Sequence, residues 1–456
     1  MKLKDDRLAE LADRGNVARF VSFTPGAEPR LRYARIDPLA VTSGDKVTVE
    51  AAVEQLFHQS SGRLNVRTFT SAVSKGLPFL YGLTDPGSVV TEVRRLALAG
   101  YFTIVNETVD VDDGGISGVS IGGWVEFAPD DTPRAVEKSG TAGLPRTLAS
   151  TVLTTVYGFE PSIQHKDSER LEFSVHPRRV GYRGDHSIWW EVEDVGEQQL
   201  SSTPDWPNNF SRHIGDKAYG LLMAESIGLH VPRTTVVSRR VAPFTFGLAT
   251  GTREVWIRTC PVEQAPGQYS TFDHWVDPFR LLHAEDPSGT ALSSIIAQEG
   301  VDAIWAGATL PAFDGNDYVE GKPGTGDRFM LGREGGSALP SAVTSDVQAL
   351  TRAAASVFGP VRIEWCHDGR RAWVVQMHTS RDYFVDVDIL SQGDASEWIS
   401  YDTTLGLDAL KEVIAEAVRR GVGVSVDGHV GITSHVGDLL RRARVPGRLA
   451  AKYSRR

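Results

Sequence analysis

Only two cysteines, Cys260 and Cys366, occur in 456 residues. That excludes a disulfide framework and a four-cysteine zinc site, and it favours a reducing, cytoplasmic setting. No apolar run approaches the roughly 18 residues that a membrane-spanning helix needs. The opening stretch, MKLKDDRLAELADRG, puts charges where a signal peptide needs an apolar segment, so export is not expected. Basic charge is also short: 48 Lys and Arg stand against 58 Asp and Glu, a net charge of −10. A surface of that balance lacks the field that grips nucleic acid. A GxxxxGK[ST] loop, a GxSxG elbow, an HExxH pair, a CxxC pair and a dinucleotide fingerprint are all missing. P-loop, serine-hydrolase, zincin and redox chemistries therefore have no anchor. What is present, 41% hydrophobic and 23% charged residues, is an ordinary globular composition with room for about three domains.

Periodicity and punctuation divide the chain. Leu8, Leu11 and Ala12 recur at helical spacing within residues 1–14, and residues 19–23 read as a strand. Helices are expected over 46–57, 86–100, 341–358 and 405–420, with a strand over 62–69. Residues 215–237 open a helix with Asp216 as its N-cap candidate and Gly228 as its stop, followed by a strand after Pro232. The runs VRIEW and AWVVQMH, joined by His-Asp-Gly-Arg, read as a hairpin because Asp-Gly suits a tight turn. The polar, proline-bearing stretch 196–215 reads as a linker.

A weak internal repeat crosses that linker. NVRTF carries Arg67 and WIRTC carries Arg258. Further on, AVEKSG carries Glu137 and YVEGKPG carries Glu320, and each half then has an aromatic-Gly helix end. RLEFSVH, with Glu172, and RIEWCH, with Glu364, close the series. The Arg-to-Glu separations in the two halves are nearly equal, which suggests duplicated architecture.

The second half collects residue types that suit a nucleotide. Lys217 near a helix start and Arg258 within a strand would neutralise phosphates. A carboxylate and an amide oxygen on neighbouring strands, Glu364 and Gln376, would form half a shell for Mg²⁺. In the first half, Glu172 and Glu191 would form a carboxylate pair at a metal.

These segments resemble the ATP-grasp nucleotide-binding domain of the phosphoenolpyruvate synthase and pyruvate phosphate dikinase family. The resemblance rests on GDKAYGLLMAESIGLHVPRTTVV, EVWIRTCPVEQAPGQYST, YVEGKPGTGDRFMLG and VFGPVRIEWCHDGRRAWVVQMH, and it covers roughly residues 210–380. It implies phosphate contacts from Lys217 and Arg258, a place at the nucleotide for Glu320, and magnesium ligation by Glu364 and Gln376. A fainter likeness in the first half implies phosphate contacts from Arg67 and Lys75 and metal ligation by Glu172 and Glu191. The family follows its Gln with x-Arg-Pro. Here Met377 and His378 follow, and Arg381 lies three residues beyond the family's arginine. Near the end, VSVDGHVGITSHVGDLLRRARVP resembles the phosphohistidine segment of the family's swivelling domain, which implies a phosphoryl-carrying role for His435. A neutral imidazole is a competent nucleophile near pH 7. At 456 residues, the family's pyruvate-binding barrel is not expected here.

The expected fold class is α+β, with tandem ATP-grasp-like modules of antiparallel sheets flanked by helices and a short C-terminal α/β segment. The expected boundaries are 1–195 for a divergent module, 196–215 for the linker, 216–390 for the nucleotide module and 391–456 for the C-terminal segment. The expected activity is an Mg-ATP-dependent phosphotransferase or synthetase, with Arg258 and His435 as catalytic residues. Its partners would be a nucleotide and an unidentified small-molecule acceptor, with neither a membrane nor nucleic acid. The alternatives are a non-catalytic nucleotide sensor or scaffold, and a carboxylate ligase working through an acyl phosphate.

Overall fold

A computed structural model describes residues 2–38, 47–71, 77–110, 112–129, 139–197, 203–263, 269–313 and 316–450. It divides the chain into two units, Met1–Ser202 and Thr203–Arg456.

In the first unit the helix Lys4–Arg14 buries Leu11 and Ala12, as its spacing requires, and also Asp5. Asp5 is satisfied there by Ser22 and Arg32 at 2.9 and 2.6 Å. Five antiparallel strands follow, in the spatial order Leu31–Arg35, Phe20–Phe23, Phe102–Glu107, Leu64–Phe69, Phe79–Leu83. The helices Val49–Gln59 and Pro86–Leu98 cover one face, packing Val53, Leu56, Val89 and Val93 onto Val21, Val66 and Val105. A second antiparallel sheet has the order Asp185–Asp194, Glu169–Val180, Ile116–Ile121, Trp124–Pro129, Ala142–Pro145. The helix Arg146–Tyr157 between its strands stops at Gly158, whose φ of +78° suits glycine.

The second unit repeats this order. Its first sheet runs Phe244–Phe246, Thr234–Ser238, Leu292–Glu299, Val255–Pro261, Thr271–Phe272. Numbered along each unit, both first sheets read second, first, fifth, third, fourth. The other sheet runs Tyr318–Pro323, Trp305–Leu310, Val361–His367, Ala372–Thr379, all antiparallel. That matches the second sheet of the first unit without its edge strand Ala142–Pro145. Arg67 and Arg258 lie on corresponding strands, as do Glu172 and Glu364.

Two expectations change here. Within the stretch read as a linker, the helix Asn209–Ile214 buries Phe210 and Ile214 completely. Asp216 is the first residue of the helix Asp216–Ser226 rather than its cap. The cap position is Gly215, with no side-chain hydrogen bond, and Asp216 instead accepts from the Ser211 hydroxyl at 2.5 Å.

The C-terminal residues form a small sheet in the order Ile389–Ser391, Gly447–Leu449, Gly423–Asp427, Trp398–Asp402, whose last two pairings are parallel. The helices Gly406–Arg420 and His435–Arg442 flank it. Its core includes Leu310 and packs Tyr318 and Phe384, so the segment shares its interior with the preceding module. No described helix is long and apolar enough to cross a membrane.

Candidate functional site

The site grows from the hairpin Val361–His367/Ala372–Thr379. Side chains alternate along a strand, so Ile363 and Trp365 enter the core while Arg362 and Glu364 share the opposite face. Asp368 accepts from the backbone of Arg370 and Arg371 and closes the turn. The resulting register sets Glu364 opposite Gln376 and Arg362 opposite His378. Four functional side chains thus share one face.

Cations arrive from the other sheet and from the helix Asp216–Ser226. Arg258 donates to the Val375 carbonyl at 3.2 Å and lies against the Trp256 ring, 5.7 Å from its centroid. Lys217, in the first turn of Asp216–Ser226, donates to the Thr259 carbonyl at 3.2 Å. Two glycines allow that helix to sit so close. A Cβ on Gly215 would meet Ser294 Oγ at 2.4 Å and Cys260 at 2.6 Å, and one on Gly220 would meet the Met377 carbonyl oxygen at 1.9 Å. Between the two sheets lies a narrow cleft of about 70 Å³, lined by Trp256, Arg258, Gln298, Gly307, Glu364 and Val375 among others.

The C-terminal segment closes the other side. Thr433 donates to Glu320 through its backbone N–H at 3.2 Å and its hydroxyl at 3.3 Å, while its carbonyl accepts from Arg362. Only glycine fits at 431, where a Cβ would lie 2.3 Å from Phe329 and 2.8 Å from a Glu320 oxygen. His435 then begins the helix His435–Arg442. Arg362 pairs with Asp438 at 2.6 Å, and Asp438 also pairs with Arg442 at 2.9 Å.

Electrostatics follow from this crowding. Burial alone would lift the Glu364 carboxyl, but His435, Arg362, Arg258 and His378 outweigh it and hold the group below its ordinary value. Burial pushes the Lys217 ammonium down. It also lowers His435, and it takes His378 down to about 4 against the pull of Glu364. Both imidazoles are therefore neutral at pH 7.

Asp438 is held well below the carboxylate range because Arg362, Arg442 and Arg441 outweigh its burial. A depressed carboxyl stabilises the fold above its unfolded value of about 3.9, and that contribution is lost as pH falls through the folded value. Asp438→Asn is therefore expected to cost about 3 kcal/mol at neutral pH by stranding two guanidinium groups. The gap to wild type should narrow at about pH 3, where the unfolded carboxyl is already largely protonated. Urea unfolding at the two pH values checks this.

Of the expected site residues, Arg258 and Glu364 line the cleft, Gln376 is the cross-strand neighbour of Glu364, and Lys217 and His435 act electrostatically on the same group. It departs from expectation at Glu320, whose carboxylate is turned inward to Thr433. Arg381 does not supply the missing cation, since its side chain is 91% exposed and paired with Asp205 at 3.3 Å. The residues that reasoning from sequence missed are Arg362, His378, Asp438 and Arg442. A signal existed for the first two, which stand two positions from Glu364 and Gln376 on alternating strands.

The first unit repeats the pattern on its own hairpin, where Glu172 lies opposite Glu191 and Arg170 opposite Glu193. Its groups are engaged with one another. Glu172 is paired with Arg170 at 2.7 Å, and the Arg67 guanidinium lies 5.5 and 5.9 Å from the ring centroids of Phe79 and Trp190. Lys75 and Glu137 lie outside the described residues. His176 is a buried structural histidine, held between Ser174 and Asp113.

The donor set suits magnesium. Glu364 and Gln376 offer hard oxygens side by side, but among the described residues no three His, Cys, Asp or Glu side chains are grouped to hold a metal by themselves.

No family model and no curated protein matches the chain. Among solved structures it is similar in part to D-alanine-D-alanine ligase from Helicobacter pylori, with 7% identity, a TM-score of 0.25, and coverage of 36% of this chain and 51% of that one. It is similar also to D-alanine-D-alanine ligase from Bacillus anthracis complexed with ATP, with 13% identity, a TM-score of 0.25, and coverage of 38% and 57%. A third is L-amino acid ligase from Bacillus licheniformis, with 18% identity, a TM-score of 0.25, and coverage of 40% and 43%. The chain spans about half the length of these structures.

Proposed function

We propose that the second unit binds Mg-ATP in the cleft between Arg258 and Glu364, and that the protein is an ATP-dependent ligase or synthetase built from tandem ATP-grasp-like modules. The observation that carries this reading is the single strand face on which Glu364 stands opposite Gln376, approached by Arg258 from the other sheet and by Lys217 from the helix Asp216–Ser226. Lys217 and Arg258 would neutralise the phosphates, and Glu364 and Gln376 would hold the magnesium ion. When bound, that ion supplies charge neutralisation at the phosphate oxygens. An acceptor carboxylate oxygen would then attack the γ-phosphorus, releasing ADP and leaving an acyl phosphate for a second nucleophile to displace. The matching strand orders of the two units support the tandem description. Because Arg67 and Glu172 are engaged within the first unit, we assign one nucleotide per chain.

A second reading is favoured by one observation, the place of His435 at the start of the helix whose Asp438 pairs with Arg362 on the Glu364 strand face. There the imidazole nitrogen, rather than a carboxylate, would take the phosphoryl group. The two readings separate cleanly when the protein is incubated with labelled ATP, Mg²⁺, hydroxylamine and pooled carboxylic acids. The ligase reading predicts ADP and a hydroxamate, both retained in His435→Ala. Acid-labile label on the protein, lost in His435→Ala, would replace it with the phosphotransferase. ATP bound without any product would leave a nucleotide sensor.

A further inference from the structure

We infer that His378 is a positioning residue that fixes which end of the Gln376 side-chain amide faces the cation site. The inference rests on the magnesium-nucleotide reading of Glu364 and Gln376. Its starting point is a contact: Gln376 Nε2 lies 2.7 Å from His378 Nε2. An amide nitrogen can only donate, so the imidazole nitrogen facing it accepts, and the His378 proton resides on Nδ1. The amide is planar, with its oxygen opposite its nitrogen. Tying the nitrogen to His378 leaves the oxygen for the side of Glu364, the cross-strand neighbour of Gln376.

Without such a tie the amide has two orientations of similar energy, and one of them presents N–H groups to a cation. An arginine at 378 could not serve, because a guanidinium has no acceptor. Nor does the site need its charge there, because Arg362, directly across the ladder from His378, supplies a cation from the next strand. Partners that orient a ligand in this way typically change metal affinity by about 10–100-fold when removed.

The test uses Mn²⁺ as the probe, with its binding to the protein–ATP complex followed by electron paramagnetic resonance on the full chain. His378→Phe is expected to weaken Mn²⁺ binding by about tenfold. His378→Gln, whose amide oxygen can still accept, should restore it to within about threefold. ATP binding measured with chelator present should be the same in all three proteins. In a Gln376→Glu background, where no amide orientation is left to fix, His378→Phe should have no further effect, which keeps the test readable if packing at 378 is disturbed. Unchanged Mn²⁺ affinity in His378→Phe would overturn the inference, as would equal loss in the Phe and Gln variants. Absence of Mn²⁺–ATP binding in wild type would instead overturn the reading on which it rests.

Discussion

Glu364→Gln is expected to lower ATP-dependent product formation by about 10²–10³-fold while leaving the fold intact. The substitution keeps the shape of the side chain and removes one negative charge from a position where four groups, His435, Arg362, Arg258 and His378, bias the carboxyl toward ionisation. Arg362 and Arg258 would lose a shared counter-charge, and the cation site would lose the carboxylate on that strand face. Magnesium dependence should shift to higher concentration, whereas metal-free ATP binding through Lys217 and Arg258 should persist. Steady-state turnover across a magnesium series, together with thermal melts, checks both parts. A variant with wild-type turnover would remove Glu364 from the reaction.

Gly220→Ala is expected to be the most damaging small substitution in the second unit. The added methyl group would lie 1.9 Å from the Met377 carbonyl oxygen, and the atom it meets is backbone, which does not rotate away. Helix Asp216–Ser226 would have to lift from strand Ala372–Thr379. Overpacking of this kind costs about 3 kcal/mol. For a unit of this size that corresponds to roughly 10 °C in melting temperature. The displacement also separates Lys217, on that helix, from Gln376 and His378, which flank Met377. ATP affinity should therefore fall together with the melting temperature, and calorimetry reads both.

Much of this was legible in the sequence. The Asp-Gly turn and the alternation on each side of it announced the hairpin, and with it the pairing of Glu364 and Gln376. The repeated Arg and Glu words suggested duplicated architecture, and they fall on corresponding strands of the two units. What stayed hidden depends on long-range register. Arg362 reads as one more strand arginine until the chain returns, many residues later, to set Thr433 and Asp438 against it. Glu320 sits before a Gly-rich segment and reads as a nucleotide contact. Its burial and its two bonds to Thr433 depend on close approach by Gly431, which local sequence does not encode. Arg381, three residues beyond the family's arginine, lies past the end of its strand at Thr379, which spacing along the chain does not reveal.

The most direct test of the central claim is a calorimetric titration of the full chain with a non-hydrolysable ATP analogue and Mg²⁺. The proposed site predicts one nucleotide per chain, lost in Arg258→Ala and retained in Arg67→Ala. No binding to wild type, or binding that survives Arg258→Ala and vanishes in Arg67→Ala, would contradict it.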